Sequence, residues 1–294
     1  MKTKEIIEIA EKHGLLLNEE MSFNNMGIDF QVGFAKDRNG QQWVLRLPRR
    51  KNLIDQIRTE KNILELVSQY LSIQVPDWKI ATDELIAYPL LEGKPALTYD
   101  PVSYEVTWHM DKNSECYMDS LAKILVEIHS IPVEEVEKRQ LKVLTPDQSR
   151  KEISDRLALV KSELGINQEL EKRYLHWLDN DRLWPTFNRF IHGDLYAGHI
   201  LVFPNGKISG VIDWTTAHVS DIAQDFSGHL TVFGEQSLKS LITAYQQQGG
   251  LIWDALYDQA VERAAAAPLA YGFFAISIQD DNHIKAAKTQ LGSL

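Results

Sequence analysis

Phe190-Ile191-His192-Gly193-Asp194-Leu195-Tyr196-Ala197-Gly198-His199-Ile200-Leu201-Val202 reads as an apolar strand, a glycine-flanked loop holding an acid and two histidines, and a second apolar strand. Phe203-Pro204-Asn205-Gly206-Lys207 then reads as a turn, and Ile208 to Ile212 returns as a strand that delivers Asp213. Such a hairpin brings Asp213 back beside the loop that carries Asp194 and His199. Phosphoryl transfer needs a set of this kind. One acid takes the proton of the attacking hydroxyl, and two side chains hold Mg²⁺ against the nucleotide phosphates.

Upstream of this stretch the pattern is that of a small α+β lobe. Thr3 is a candidate cap for a helix to about His13, with an apolar stripe of Ile6, Ile7, Ile9 and Ala10 and a stop at Gly14. Phe30 to Phe34 alternates, Asp37-Arg38-Asn39-Gly40 reads as a turn, and Trp43 to Leu47 follows as the second strand of a hairpin. Asn24-Asn25-Met26-Gly27 forms a loop just before it. Asn52 can cap a helix through about Tyr70, in which Ile54, Ile57, Leu64 and Val67 keep roughly helical spacing. Trp78-Lys79-Ile80 and Leu85 to Tyr88 read as two more strands, and Glu92-Gly93-Lys94-Pro95 breaks the pattern. This reading divides the chain into a small α+β lobe over 1–92 and a mainly helical lobe over 93–294, which the resemblance named below makes the nucleotide-binding lobe and the lobe with catalytic loop and substrate cleft.

The second part is helical. Ser114 caps a helix to about Ser130, stopped by Pro132, and helices follow near Pro146 to Leu164 and Asn167 to Asn180. Ala264 to Ile278, with Pro268 and Gly272 inside it, reads as a buried helix too short to span a bilayer.

Composition excludes several function classes. The 294 residues are 44% hydrophobic and 24% charged, enough for a core without disulfide or metal staples. The single cysteine, Cys116, reads as a packing residue in a reducing compartment. Charges interrupt the apolar residues of Met1 to Glu8, unlike a signal peptide. A net charge of −10 disfavours sequence-independent nucleic-acid binding. The expectation is a cytoplasmic monomer that binds neither nucleic acid nor membrane.

His192-Gly193-Asp194 and Ile212-Asp213-Trp214 resemble the aminoglycoside-phosphotransferase-like antibiotic kinases, whose pattern is His-Gly-Asp, then Asn, then Ile-Asp-Trp. Asp194 to His199 keeps the five-residue offset between base and metal-binding Asn found in protein kinases. This chain departs at the Asn position, where His199 stands; imidazole binds divalent metals, although Mg²⁺ prefers oxygen. Gly198-His199-Ile200-Leu201 and Trp43 to Arg50 look like the macrolide 2′-phosphotransferase branch.

The resemblance implies a protein-kinase-like bilobal fold, with Asp194 as catalytic base and His199 and Asp213 on Mg²⁺. It implies Arg46 at the phosphate-binding strand position, with a solvated strand charge as the bland alternative. Glu60 would pair with Arg46 as kinases pair Lys and Glu, or else be an exposed helical charge. Val44 and Ile28 would face the nucleotide. Tyr88-Pro89-Leu90-Leu91 resembles the inter-lobe hinge, or is an ordinary strand end. Asn25-Met26-Gly27-Ile28 stands where a glycine-rich phosphate loop would be, but is poor in glycine.

Asp225 would brace the catalytic-loop backbone and Asp221 would be structural, unless both are helix-start acids favoured by the dipole. His192 would order the loop and not act as base, and His129 reads as structure. The branch implies a macrolide acceptor, phosphorylated at the 2′-hydroxyl of its amino sugar to confer resistance, and GTP as donor; the residues themselves leave ATP open. Leu269 to Ala275, with Tyr271, Phe273 and Phe274, can supply an apolar substrate wall or plain helix core. Two other readings stand beside this one: a kinase of the same fold for an aminoglycoside, choline or a sugar, and a non-catalytic nucleotide-binding regulatory module.

Overall fold

The computed structural model describes residues 3–24, 29–50, 53–100, 103 and 105–294. In chain order the first elements are α1 (Thr3–Lys12), β1 (Leu17–Asn24), β2 (Phe30–Asp37), β3 (Gln42–Pro48) and α2 (Ile54–Val67). Short strands follow: β4 (Ile80–Ala81), β5 (Ile86–Pro89), β6 (Lys94–Pro95), β7 (Leu97–Tyr99) and β8 (Val106–Trp108). Then come α3 (Glu115–His129), α4 (Val133–Lys138), α5 (Pro146–Leu164) and α6 (Gln168–Asp179). The central β segment is β9 (Arg189–Ile191), β10 (Ile200–Val202), β11 (Ile208–Val211) and β12 (His218–Ser220). The chain ends in α7 (Ala223–Phe233), α8 (Glu235–Gln247), α9 (Leu256–Ala265), α10 (Ala267–Ile278) and α11 (Asp281–Gln290). The class is α+β, with an antiparallel sheet in the N-terminal part and a mostly helical C-terminal part, as the sequence implied.

Two compact units form, and neither is continuous in sequence: residues 1–120 with 197–216, and residues 121–196 with 217–294. The first compact unit runs past residue 92 and takes in the strands β6 to β8; within it β6 pairs with β10 at Leu201↔Pro95 and Val202↔Lys94. Gly93, at φ +92°, permits this approach: a Cβ there would stand 2.3 Å from Ser209 Oγ and 2.8 Å from the Val202 carbonyl oxygen.

The first unit is built on a five-stranded sheet in the order β1-β2-β3-β5-β4. The alternation in β2 and β3 fixes which residues share a face, since directly opposed residues point the same way. Leu17, Ala35, Leu45, Leu47, Leu85 and Ala87 pack with Ile6 and Ala10 of α1. The other face carries Val32 opposite Arg46, Phe34 opposite Val44, and Val44 opposite Tyr88. Strand β1 is absent from the sequence reading because it is an edge strand with only Leu17 buried and Met21 half-buried, so it shows no alternation. Trp78 and Lys79, expected in a strand, precede it; β4 holds only Ile80 and Ala81. The expected cap Asn52 and the loop residues Asn25 to Ile28 lie outside the described residues. Ser114 does cap α3, its Oγ accepting the Tyr117 N–H at 3.2 Å.

In the second unit Thr145 and Gln148 form a capping box at the start of α5, with Pro146 in the first turn. A core of Ile153, Leu157, Val160, Tyr174, Trp177 and Leu269 ties α5, α6 and α10 together. The stretch Ala264 to Ile278 is not one buried helix. It divides at Ala266 into the end of α9 and the whole of α10, with Pro268 in the first turn of α10, where its missing N–H costs nothing. Only Leu269, Gly272 and Ala275 of α10 are buried.

Candidate active site

In the first unit, Arg46 leaves the face of β3 that also carries Val44. Its Nη1 donates to Glu60 Oε1 of α2 at 2.7 Å. The guanidinium lies 4.4 Å from the centroid of the Phe30 ring and 5.4 Å from that of Trp78. Planar cation and aromatic faces attract, so the rings orient the fork as well as cover it. Burial raises the Glu60 carboxyl above the usual carboxylate range against the pull of Arg46. Burial also works against the charge on Arg46, but Glu60 outweighs it and the guanidinium titrates above its ordinary value. The 2.7 Å contact is that of a charged pair.

Glu60 is 2% exposed and stands in the buried stripe of α2 with Ile57, Leu64 and Val67. Its second oxygen accepts from Thr215 Oγ1 at 3.0 Å. The same hydroxyl stands 3.0 Å from Asp213 Oδ1, and Asp213 Oδ2 stands 3.6 Å from His199 Nε2. One polar chain thus runs Arg46–Glu60–Thr215–Asp213–His199.

The hairpin of β10 and β11 sets the end of this chain: the Ile212 N–H donates to the His199 carbonyl at 3.0 Å. Asp213 then turns into the left-handed region at φ +64°. A non-glycine residue there carries about 1–3 kcal/mol of strain, and an acid is one of the few side chains that tolerate it. Among the described residues no group of three or more His, Cys, Asp or Glu side chains converges. Two protein donors suit a cation that takes its remaining ligands from water and phosphate oxygens. The 3.6 Å between His199 Nε2 and Asp213 Oδ2 is close to the roughly 3 Å between neighbouring ligands of an octahedral ion. The pair therefore fits a divalent metal.

Tyr88, on the same face as Arg46, is buried, which pushes its phenol up to about 12. Pro89 is half-buried, Leu90 is 38% exposed and Leu91 is buried. The Leu90 N–H is committed to the Gln42 carbonyl at 2.9 Å. A cavity of about 450 Å³ opens nearby, and its lining includes Phe34, Lys36, Gln42 and Leu90. Ile28 lies outside the described residues.

In the second unit, β9 pairs with β12 and runs into the loop that carries Asp194. Three residues of α7 hold this loop. Asp225, 1% exposed, accepts the His192 N–H on Oδ2 at 2.9 Å and the Gly193 N–H on Oδ1 at 2.8 Å. Gln224 Nε2 donates to the Gly193 carbonyl at 2.6 Å. Gly228 lets the helix approach so closely that a Cβ would stand 2.3 Å from the Leu195 carbonyl oxygen. Gly193 turns the loop at φ +85°, leaving the Asp194 side chain exposed.

His192 is fully buried, and its Nδ1 accepts the Asp194 N–H at 3.2 Å. It orders the loop, as expected. His129 is also structural: Nε2 lies 3.2 Å from Asp225 Oδ2 and Nδ1 2.9 Å from the Tyr245 hydroxyl. Burial pushes the Asp225 pKa up, but His129, His192 and the Gly193 N–H together bring it below its ordinary value. Asp221 accepts from Gln259 at 2.7 Å, from Arg263 at 3.1 Å and from its own helix start at Ala223. Both acids are therefore braces.

Residues 20–262 match the phosphotransferase enzyme family, APH. The chain belongs to this family. This phosphotransferase is similar to a solved macrolide 2′-phosphotransferase type I, with 35% identity over 98% of this chain and 96% of that one and a TM-score of 0.93. It is also similar to the macrolide 2′-phosphotransferase MphH from Brachybacterium faecium, at 36% identity, 99% and 97% coverage and a TM-score of 0.89. The protein YcbJ of Bacillus subtilis (strain 168), described as uncharacterized, is 38% identical over 98% of this chain and 95% of its own length.

Of the aromatic residues expected at an acceptor, all three are half-buried on α10 of the phosphotransferase. Tyr271 bonds His283 Nδ1 at 2.7 Å and stacks on Phe274, while Phe273 carries Arg156 over its ring at 4.9 Å. Tyr271 and Phe273 pack against the core of the second unit. Sequence reasoning missed Thr215, Gln224, Gly228 and Tyr245. Gln224 and Gly228 carry a helical-spacing signal, since with Asp225 they fall on one face of α7. Thr215 and Tyr245 carry none for their links to Glu60 and His129, which are 155 and 116 residues away.

Among the described residues no helix is long and apolar enough to cross a membrane.

Proposed function

We propose that the chain transfers the γ-phosphate of GTP to the 2′-hydroxyl of the amino sugar of a macrolide, and so confers resistance. The observation that carries this reading is the similarity, at 35% and 36% identity over nearly the whole chain, to two macrolide 2′-phosphotransferases. The side chains that phosphoryl transfer requires are present beside it.

Asp194 orients the sugar hydroxyl and takes its proton, and its exposed carboxylate is suited to reach a bound acceptor. Its backbone is held by His192, and that of Gly193 by Asp225 and Gln224, so the base is placed before substrate arrives. Arg46 offsets charge on the phosphates, kept in place by Glu60 and the two aromatic rings. Val44 and Tyr88, on the same face as Arg46, line the nucleotide, with Leu90 and Leu91 at the strand end beyond them. His199 and Asp213 would hold Mg²⁺, which when bound would supply positive charge against the nucleotide phosphates. GTP as donor rests on the likeness of Gly198 to Leu201 and Trp43 to Arg50 to the macrolide branch. Tyr271, Phe273 and Phe274 are proposed as one apolar wall of the acceptor site. The protein is proposed to work as a cytoplasmic monomer.

The test is product mass after incubation with Mg²⁺, either GTP or ATP, and a panel of macrolides and aminoglycosides. A gain of one phosphoryl group on a macrolide, favoured by GTP, is expected. A phosphorylated aminoglycoside with unmodified macrolides would move the chain to another acceptor. Nucleotide binding without transfer to any compound would favour the regulatory module.

A further inference from the structure

Thr215 presents one hydroxyl to two carboxylates: Glu60 Oε2 at 3.0 Å and Asp213 Oδ1 at 3.0 Å. A hydroxyl has one proton to donate, so it cannot serve both acceptors fully at once. The two acceptors belong to different tasks. Glu60 holds Arg46 through its other oxygen at 2.7 Å, and Asp213 stands beside His199. Between the arginine and the proposed metal ligand, Thr215 is the bridging group of the polar chain.

We infer that Thr215 is a positioning residue that couples cation binding at Asp213 to the hold of Glu60 on Arg46, and hence to affinity for the phosphates of a nucleoside triphosphate. The inference rests on the reading of Asp213 as a metal ligand. With Asp213 engaged on a cation, its oxygens accept less strongly from the hydroxyl, and the proton goes to Glu60. Glu60 then has one donor on each oxygen, Thr215 on Oε2 and Arg46 on Oε1, which fixes the guanidinium fork for phosphate. Without a cation the hydroxyl is divided between the two carboxylates, and Glu60 is held on one side only. Such coupling is reciprocal, so nucleotide phosphates on Arg46 favour the cation in turn. Sequence spacing carries no trace of it, since Thr215 and Glu60 are 155 residues apart.

The experiment measures binding and not turnover. A GTP analogue with a methylene bridge between the β- and γ-phosphates is titrated by calorimetry with and without Mg²⁺. The quantity read is the ratio of the two dissociation constants. In the wild type the cation tightens binding. Thr215→Val, close to isosteric, is expected to shrink that ratio by about tenfold, within the usual range of coupling between sites. Thr215→Ser restores the hydroxyl and is expected to restore the ratio. Thr215→Ala, carried alongside, shows whether the second methyl of valine is responsible, and melting temperatures confirm that each variant is folded. A Thr215→Val ratio equal to wild type, with the ratio lost in Asp213→Asn, would overturn the coupling and leave Asp213 as the metal ligand. An undiminished ratio in Asp213→Asn would overturn the metal reading and the coupling with it.

Discussion

Asp225→Asn should be among the most damaging single substitutions available outside the reacting groups. The carboxylate is 1% exposed and accepts three hydrogen bonds: the Gly193 N–H on one oxygen, and the His192 N–H and His129 Nε2 on the other. An Asn side chain is the same size, but its amide nitrogen must face one of the two backbone donors. That donor is buried with no acceptor, at about 1–3 kcal/mol, and the remaining bonds lose charge assistance, about another 1–2 kcal/mol together. The sum, about 2–5 kcal/mol, overlaps the usual cost of removing one partner from a buried charged pair. Thermal unfolding followed by tryptophan fluorescence, with Trp177 and Trp184 in the same unit, should show a fall in Tm on the order of 10 °C.

The pH dependence has a definite sign. Asp225 titrates below its ordinary value in the folded chain. Its contribution is therefore present above the unfolded carboxylate pKa of about 3.9, and is lost as pH falls through the folded value. The gap in stability between wild type and Asp225→Asn should stay open from pH 7 to pH 5 and narrow below about pH 4. A gap under about 1 kcal/mol at neutral pH, less than a single lost buried hydrogen bond, would refute the bracing role.

Asp194→Asn should leave the fold intact and lower kcat by about 10²–10⁴, the range for a lost general base; near-normal turnover in a steady-state assay would remove Asp194 from the chemistry. Gly228→Ala places a methyl against the Leu195 carbonyl oxygen, where only a backbone shift can make room. Displacing the loop by a fraction of an ångström should lower kcat by about 10–100-fold with nucleotide KM nearly unchanged, although alanine itself favours the helix. Unchanged kcat would show that the loop yields freely. Arg46→Lys keeps the charge but loses the planar fork between Phe30 and Trp78, and should raise nucleotide KM about tenfold; equal KM would mean that only the charge matters.

The local fold was largely legible. The alternation of Phe30 to Phe34 and Trp43 to Leu47 specified a hairpin, and it formed as β2 and β3. Ser114 before α3, and the start of α5 at Pro146, were readable because capping depends on neighbours within one turn. Strand β1 was not readable, because an edge strand exposed on nearly every residue has no pattern to show. The proline in Ala264 to Ile278 was a sufficient sign of a helix start, and reading through it hid the break at Ala266.

By itself the sequence singled out the groups proposed to react and the elements that present them. Asp194, His199 and Asp213 are recognisable because their spacing follows from one loop and one hairpin. Glu60 was open between a partner for Arg46 and an exposed helical charge, and its place in the buried stripe of Ile57, Leu64 and Val67 came from the packing of α2. Only the tertiary structure decided which polar groups support them. Tyr245 meets His129 across 116 residues and Thr215 meets Glu60 across 155, and of the two roles open to Asp225 the structure selects the brace on the His192 and Gly193 amides. Such partners are chosen by the packing of whole elements, which places a buried donor where some acceptor must satisfy it. No periodicity along the chain records that choice, because the cost of an unmet polar group is fixed by its surroundings and not by its neighbours in sequence.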